Sequence, residues 1–212
     1  IGNRGVVLHN ATITAGGNGA VTVEGTGGQS EGASNHGVLI YQNAEITSSG
    51  GDIRVTGNGG GRATSDSNRG VFAYANGRIT GIGNANVAVT GIGGGGSGNN
   101  HNGVALNGEF GDGRITSVDG DITVFGQGGG DGESSYSDGL ELYKGGEIRT
   151  FGAGGINISG NGGTGAGSGN YGVFLWSNSA GGGSSRIVSA GGPVQISGYG
   201  GGGGGSEATG SL

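Results

Sequence analysis

GVLIYQNAEIT, residues 37–47, returns as GVFAYANGRIT, residues 70–80, and this repetition decides the fold. Both segments open with glycine and apolar residues, place tyrosine fifth and close with Ile-Thr. The opening glycine recurs at spacings of 32, 33, 33, 36 and 33 residues, at Gly5, Gly37, Gly70, Gly103, Gly139 and Gly172, and Gly210 opens a further copy. A composition of 62 glycines in 212 residues is typical of low-complexity disorder, but a fixed period of this length indicates a repeat architecture.

Each copy contains three short apolar phrases, and equivalent positions carry the same kind of side chain. The second phrase has isoleucine in every copy: Ile13, Ile46, Ile79, Ile115, Ile148 and Ile187. In the first and third phrases, apolar and mostly β-branched residues are spaced by two, which predicts short strands with one buried face. Three such strands cannot form a core alone, but each buries its face when it pairs in parallel with its counterpart one copy later.

The repeats therefore predict an all-β fold, a right-handed parallel β-helix or β-solenoid. The right hand follows from the rule for crossovers between parallel strands. About six rungs of 32–38 residues would each contain three strands and a glycine-rich arm. We expect residues 1–212 to form a single solenoid segment, part of a longer fibre or array.

The glycine-rich arm is predicted to be ordered and stacked, because its length hardly varies. The distance from the isoleucine of the second phrase to the next opening glycine is 24 residues in five copies and 23 in the sixth. Glycine in such an arm permits positive φ and close backbone approach. Length varies between the first and second phrases instead, so NGEFGDG (107–113) and SNSAGGGSS (177–185) are predicted to bulge from one corner.

Charge and composition limit the partners. A net charge of -6 disfavours nucleic acid and anionic membrane, and the sequence contains no apolar run that predicts membrane insertion. The absence of cysteine suits a bacterial protein of the cell surface or extracellular space better than a disulfide-stapled domain.

The phrases Gly-Val-x-Leu, x-Ile-Thr and Gly-x-Ile-x-Val-x-Gly-x-Gly-Gly resemble the repeats of large bacterial exoproteins. These are the filamentous-haemagglutinin-like and β-strand-repeat adhesins, and the resemblance covers all six copies. It implies a right-handed β-helix, export across the outer membrane, and a structural or adhesive role. We therefore expect a protein that is not an enzyme.

The outward-facing positions of the first phrase are unusually apolar and aromatic. An exposed stripe is predicted there, formed by Tyr41, Phe72, Tyr74, Tyr143, Phe174 and Trp176. Stacked aromatic rings suit sugar rings of a cell-surface glycan or a neighbouring rod. The alternative is that the glycine-rich arm folds back and covers the stripe.

Nine of the 15 acidic residues lie between Glu109 and Glu147. They are interpreted either as solvated turn residues or as a functional cluster. The functional reading is an acid/base pair of a β-helical polysaccharide lyase or glycoside hydrolase, or a Ca²⁺ site at Asp119, Asp121, Asp131 and Glu133. No metal-loop spacing is present, which favours solvated residues and no cofactor. His9, His36 and His101 fall in different columns and are predicted to lie on the surface.

Three further predictions come from the columns and the ends. Glu147 should lie between Arg114 and Arg186 of adjacent rungs, a pairing that fixes register. Thr14, Thr47, Thr80 and Thr116 suggest an ice-binding array, but Arg149 and Val188 interrupt it. Unpaired strands at both ends predict end-to-end stacking into a linear homopolymer.

Overall fold

The structure is a computed structural model that describes residues 2–177 and 183–202. In these residues it contains eighteen β-strands, arranged as six turns of a coil with three strands in each turn. The predicted all-β solenoid is therefore confirmed. The described chain includes no helix of the length and apolarity needed to cross a membrane.

Three six-stranded parallel sheets run along the coil. Sheet 1 contains β1 (Val6–His9), β4 (Val38–Tyr41), β7 (Val71–Tyr74), β10 (Val104–Asn107), β13 (Leu140–Tyr143) and β16 (Val173–Trp176). Sheet 2 contains β2 (Thr12–Ala15), β5 (Glu45–Ser48), β8 (Arg78–Gly81), β11 (Arg114–Ser117), β14 (Glu147–Thr150) and β17 (Arg186–Ser189). Sheet 3 contains β3 (Val21–Thr26), β6 (Ile53–Asn58), β9 (Val87–Ile92), β12 (Ile122–Gln127), β15 (Ile156–Asn161) and β18 (Val194–Tyr199).

The strands pair in the register that the sequence columns predict, so identical side chains stack inside the coil. Ile46, Ile79, Ile115 and Ile148 are aligned on adjacent strands of sheet 2 and are fully buried. Burying one such side chain contributes about 1.5–3 kcal/mol. In the last turn, the inward-facing positions of β16 and β18 are more open, and the exposed residues there are Leu175, Val194 and Ile196.

A glycine in each strand of sheet 3 allows the chain to cross the start of sheet 1 at very short distance. A Cβ atom on Gly57 would lie 2.1 Å from the carbonyl oxygen of Gly70, the next opening glycine. Only glycine permits this approach. The crossing closes the base of the arm, so each arm stands on the corner between sheets 3 and 1.

Buried polar side chains hold the arms together, and we call this column the polar ladder: Asn35, Asn68, His101, Ser137 and Asn170. Each accepts a hydrogen bond from the backbone N–H of the equivalent residue one turn earlier, over 2.8–3.4 Å. Arm backbone is not in a strand, so its buried N–H groups require such acceptors. The predicted order of the arm is thereby explained.

The prediction that the histidines lie on the surface is wrong for two of the three. His36 is 3% exposed and His101 is fully buried, whereas His9 is exposed. His101 Nδ1 accepts from the Asn68 backbone N–H, and its Nε2 lies 3.1 Å from the Gly98 carbonyl oxygen. The neutral ring satisfies both contacts, and burial lowers the pKa of His101.

The predicted charge pairing on sheet 2 is confirmed. Glu147 is nearly buried and lies between Arg114, at 3.3 Å, and Arg186, at 2.8 Å. The interpretation of the acidic residues as solvated is therefore wrong for Glu147, whose charge is neutralised on both sides. Of the two corner segments, residues 107–113 carry the exposed Phe110, and most of 177–185 lies outside the described residues.

Candidate functional site

A groove of about 410 Å³ lies between the outer face of sheet 1 and the stacked arms, along the third to sixth turns. Its aromatic lining comprises Tyr136, Tyr143, Tyr171, Phe174 and Trp176. Its polar lining comprises Arg69, Asn100, Asn107, Asp138 and Glu141. We call it the groove. The groove combines several aromatic rings with ionisable groups, as binding sites for small polar ligands do.

Four of the five aromatic residues in the lining form two stacked pairs. Parallel pairing of β13 with β16 places Tyr143 beside Trp176, and the ring centroids are 4.8 Å apart at 16°. Tyr171, from the arm, stacks on Phe174 at 5.0 Å and 13°. Trp176 is 37% exposed and Tyr171 is 49% exposed, so both pairs remain accessible to a ligand. Three of the six predicted stripe residues, Tyr143, Phe174 and Trp176, thus meet in the groove.

Two of the five polar residues that line the groove are carboxylic acids, Asp138 and Glu141. Asp138 is 2% exposed, and its Oδ1 accepts from the Tyr171 backbone N–H at 2.8 Å. Asn102 connects the two acids: its Oδ1 accepts from the Asp138 backbone N–H at 3.1 Å, and its Nδ2 donates to Glu141 Oε2 at 2.7 Å. The interpretation of the acidic residues as solvated turn residues is therefore also wrong for Asp138.

The environment disfavours ionisation of both acids. Burial, and next the nearby Glu141 carboxylate, raise the pKa of Asp138 to about 8. Burial raises the pKa of Glu141 as well, although Arg69 and the Asn102 amide oppose that shift. A pair of interacting carboxyl groups titrates as a unit, so the groove takes up or releases protons near neutral pH.

The other three stripe residues form a separate stack on the first turns. His9, Tyr41 and Tyr74 lie in succession with centroid distances of 4.6 and 5.3 Å. The Phe72 ring stacks on Tyr74 with 4.7 Å between the ring centroids. It also contacts His36 and Arg69, which each precede an opening glycine. The His36 and Phe72 rings form an edge-to-face contact, and the Arg69 guanidinium lies 4.5 Å from the centroid of the Phe72 ring.

Two positions predicted to face solvent beside the stripe are buried. Leu39 is 2% exposed and Ala105 is fully buried. The outward face of sheet 1 is therefore buried at Leu39 and Ala105, whereas Trp176 on the same face is exposed.

The structure separates the four candidate calcium ligands. Asp119 and Asp121 follow β11 and accept from the backbone N–H groups of Ala153 and Gly155. Asp131 lies in an arm, where its Oδ2 accepts from the Gly96 backbone N–H, and Glu133 follows in the same arm. In residues 2–177 and 183–202, no three acidic, histidine or cysteine side chains are grouped to hold a metal ion.

Comparison with known proteins leaves the groove as the principal evidence for function. No protein-family model, curated protein sequence or solved structure matches this chain.

Sequence reasoning included Asp138 and Glu141 in the acidic cluster between Glu109 and Glu147, but it did not predict that they meet Arg69 in a groove. Asp138 and Arg69 occupy the position before an opening glycine, and this position varies among arginine, histidine, asparagine, aspartate and tyrosine. A varied column carries no periodic pattern. The column two residues before the glycine is more regular, with asparagine, histidine or serine in every copy, and it could have predicted the polar ladder.

Proposed function

We propose that this chain is a structural and adhesive β-solenoid segment of an extracellular bacterial fibre or surface adhesin. In this proposal it binds cell-surface glycans in the groove. The observation that carries the proposal is the groove itself, in which the Tyr143–Trp176 stack lies beside hydrogen-bonding carboxyl and amide groups. Sugar rings present apolar C–H faces to aromatic rings and hydroxyl groups to polar side chains.

The single tryptophan of the chain makes the test direct. Trp176 lines the groove, so tryptophan fluorescence reports on this site alone. We expect a subset of an oligosaccharide panel to change the emission in a saturable manner. The exposed Phe110, at the corner between sheets 1 and 2, provides a control, because Phe110→Ser should leave the titration unchanged. Absence of a saturable change with every oligosaccharide, and of heat in calorimetry, would refute groove binding.

A polysaccharide-active enzyme is the second candidate, favoured by one observation. Asp138 and Glu141 share a groove, and the pKa of Asp138 is raised to about 8, as for a carboxylic acid that donates a proton at neutral pH. Incubation with acidic and neutral polysaccharides, followed by analysis of reducing ends and unsaturated products, tests this alternative. Cleavage by the intact protein and its loss in Asp138→Asn would favour the enzyme over the adhesin.

Self-association is the remaining part of the proposal. Val194 and Ile196 in β18 are 44% and 40% exposed although they continue buried columns of sheet 3. A second copy that pairs β1–β3 with β16–β18 would extend all three sheets, and such a head-to-tail contact gives linear polymers. Sedimentation velocity over a range of concentrations should show polymers, which Ile196→Lys should reduce. A monomer at the highest concentration would exclude end-to-end assembly of this chain.

A further inference from the structure

The charges of the groove define the ligand more narrowly, and this inference rests on the proposed glycan binding. We infer that the groove takes a glycan with free amino groups, such as a glucosamine polymer. The sugar ring stacks on the Tyr143–Trp176 pair, and the ammonium group binds Asp138 and Glu141.

The two carboxylates lack a close cationic partner in the described part of the chain. No arginine, lysine or histidine nitrogen in residues 2–177 and 183–202 lies within 4 Å of either acid. Arg69 also lines the groove, but its guanidinium is stacked on Phe72. Asp138 Oδ1 is occupied by the Tyr171 N–H, whereas Oδ2 receives no hydrogen bond from the described residues. A ligand cation would fill this position.

Titration of the groove supports the same ligand class. Glu141 and Arg69 both line the groove with Asp138; burial and then Glu141 raise the pKa of Asp138 to about 8, whereas Arg69 opposes that shift. An ammonium group would reverse this balance, because a nearby positive charge favours the carboxylate. Binding should therefore release protons. A glycan that carries carboxylate or sulfate groups would instead favour the protonated acids and would gain no charge pairing with them.

The aromatic lining also accommodates positive charge. The Lys144 ammonium group lies 5.0 Å from the Tyr143 centroid and 5.9 Å from the Trp176 centroid, while it forms an ion pair with Glu109. Aromatic faces attract cations through the ring quadrupole. Because Glu109 neutralises the Lys144 charge, the pair that would stack on a sugar ring lies beside an ion pair.

The test compares two probes that differ in charge and share the same sugar ring. Oligomers of glucosamine and of N-acetylglucosamine, matched in length, are titrated by calorimetry at pH 6.5 in buffers of different ionisation enthalpy. We expect the glucosamine oligomer to bind at least about tenfold more tightly and to release protons. Asp138→Asn and Glu141→Gln should abolish the preference and the proton release, and Glu141→Gln serves where Asp138→Asn fails to fold.

A control separates specific recognition from attraction to a negatively charged protein. Glu24 is exposed on β3 of sheet 3, and Glu24→Gln removes the same charge far from the groove lining. This variant should keep the full preference for the free amine. Equal binding of the two oligomers, or equal loss of preference in Glu24→Gln and Glu141→Gln, overturns the inference and leaves glycan binding intact. Binding of neither oligomer nor any other glycan refutes the proposed function itself.

Discussion

The second and fifth turns of sheet 1 carry the same repeat and differ at one outward-facing position. Leu39 in β4 and Glu141 in β13 occupy equivalent positions, three residues into their copies. Leu39 is buried, and the neighbouring Phe72 packs between His36 and Arg69. Glu141 instead lines the groove with Asp138 and the aromatic pairs. We call the packed surface around Leu39 and Phe72 the closed face and the groove around Glu141 the open face.

The difference shows how a repeat fold acquires a local site. Inward-facing positions are constrained in every turn because they form a continuous core. Outward positions are free of that constraint, and an outward Glu141 beside Asp138, which precedes Gly139, gives the groove its two carboxyl groups. Function is placed by particular side chains and the fold supplies their spacing.

Exchange of the equivalent residues provides the largest test of this comparison. Leu39→Glu places a carboxyl group where the closed face offers no groove, and we expect a loss of about 3 kcal/mol or more in the free energy of unfolding. Urea unfolding followed by circular dichroism measures it. The reverse change, Glu141→Leu, removes an acid from an unfavourable environment and should cost little. Comparable destabilisation by the two variants would show that the faces do not differ.

Truncation of the phenylalanines should distinguish the faces by a smaller amount. Phe72→Ala removes contacts with Tyr74, His36 and Arg69, and we expect a loss of about 2 kcal/mol. Phe174→Ala removes one stack with the exposed Tyr171, and we expect about 1 kcal/mol. The same unfolding experiment applies. A larger loss of stability in Phe174→Ala than in Phe72→Ala would contradict the view that Phe72 is the more tightly packed of the two.

The two faces should also respond to pH in opposite directions. Burial, and then Arg69 and Arg4, lower the pKa of His36 from 6.5 to about 2, so its contribution is complete above pH 6.5 and is lost as the pH falls. The pKa of Asp138 is raised from 3.8 to about 8, so its contribution is complete below pH 3.8 and is lost as the pH rises towards 8. The pKa of His101 is lowered like that of His36, and the pKa of Glu141 is raised like that of Asp138, so each contributes to stability with the same pH dependence as its counterpart.

Of these four groups, only the acids of the open face change the free energy of unfolding between pH 6.5 and 8. We expect ionisation of Asp138 to lower it by up to about 1.4 kcal/mol per pH unit. Denaturant midpoints measured across this range should decrease with pH in the native sequence and stay nearly level in Asp138→Asn. His36→Asn keeps an acceptor for the Arg69 N–H, as Asn102 does in the same column, and should remove part of the acid limb. An unchanged alkaline slope in Asp138→Asn would contradict the pKa of that residue.

The smallest effect is expected for a tyrosine of the first stack. Tyr41→Ser removes contacts with His9 and Tyr74 on adjacent strands, and cross-strand pairs contribute about 0.2–1 kcal/mol. Stability should decrease by that amount, and glycan binding should not change. Tyr143→Ser is the counterpart in the groove and should weaken binding with a similar effect on stability. Reduced binding in Tyr41→Ser would extend the site onto the closed face.

The sequence alone predicts the fold because the coil repeats one physical requirement six times. Each inward column must be apolar in every turn, so it appears as a period of about 33 residues with apolar positions spaced by two. The constant arm length and the charges around Glu147 are predicted for the same reason, since in-register stacking places equivalent residues side by side. Local spacing suffices wherever neighbours in space are equivalent positions in the repeat.

Only the tertiary structure decides where the repeat is broken. Asp138 and Arg69 occupy the same column in turns that are not adjacent, Glu141 belongs to an outward column of sheet 1, and all three line one groove beside the arms. The burial of His36 and His101 has the same origin, since both depend on the arm backbone that needs their nitrogen acceptors. A period records what every turn shares, whereas a site is made from what the turns do not share.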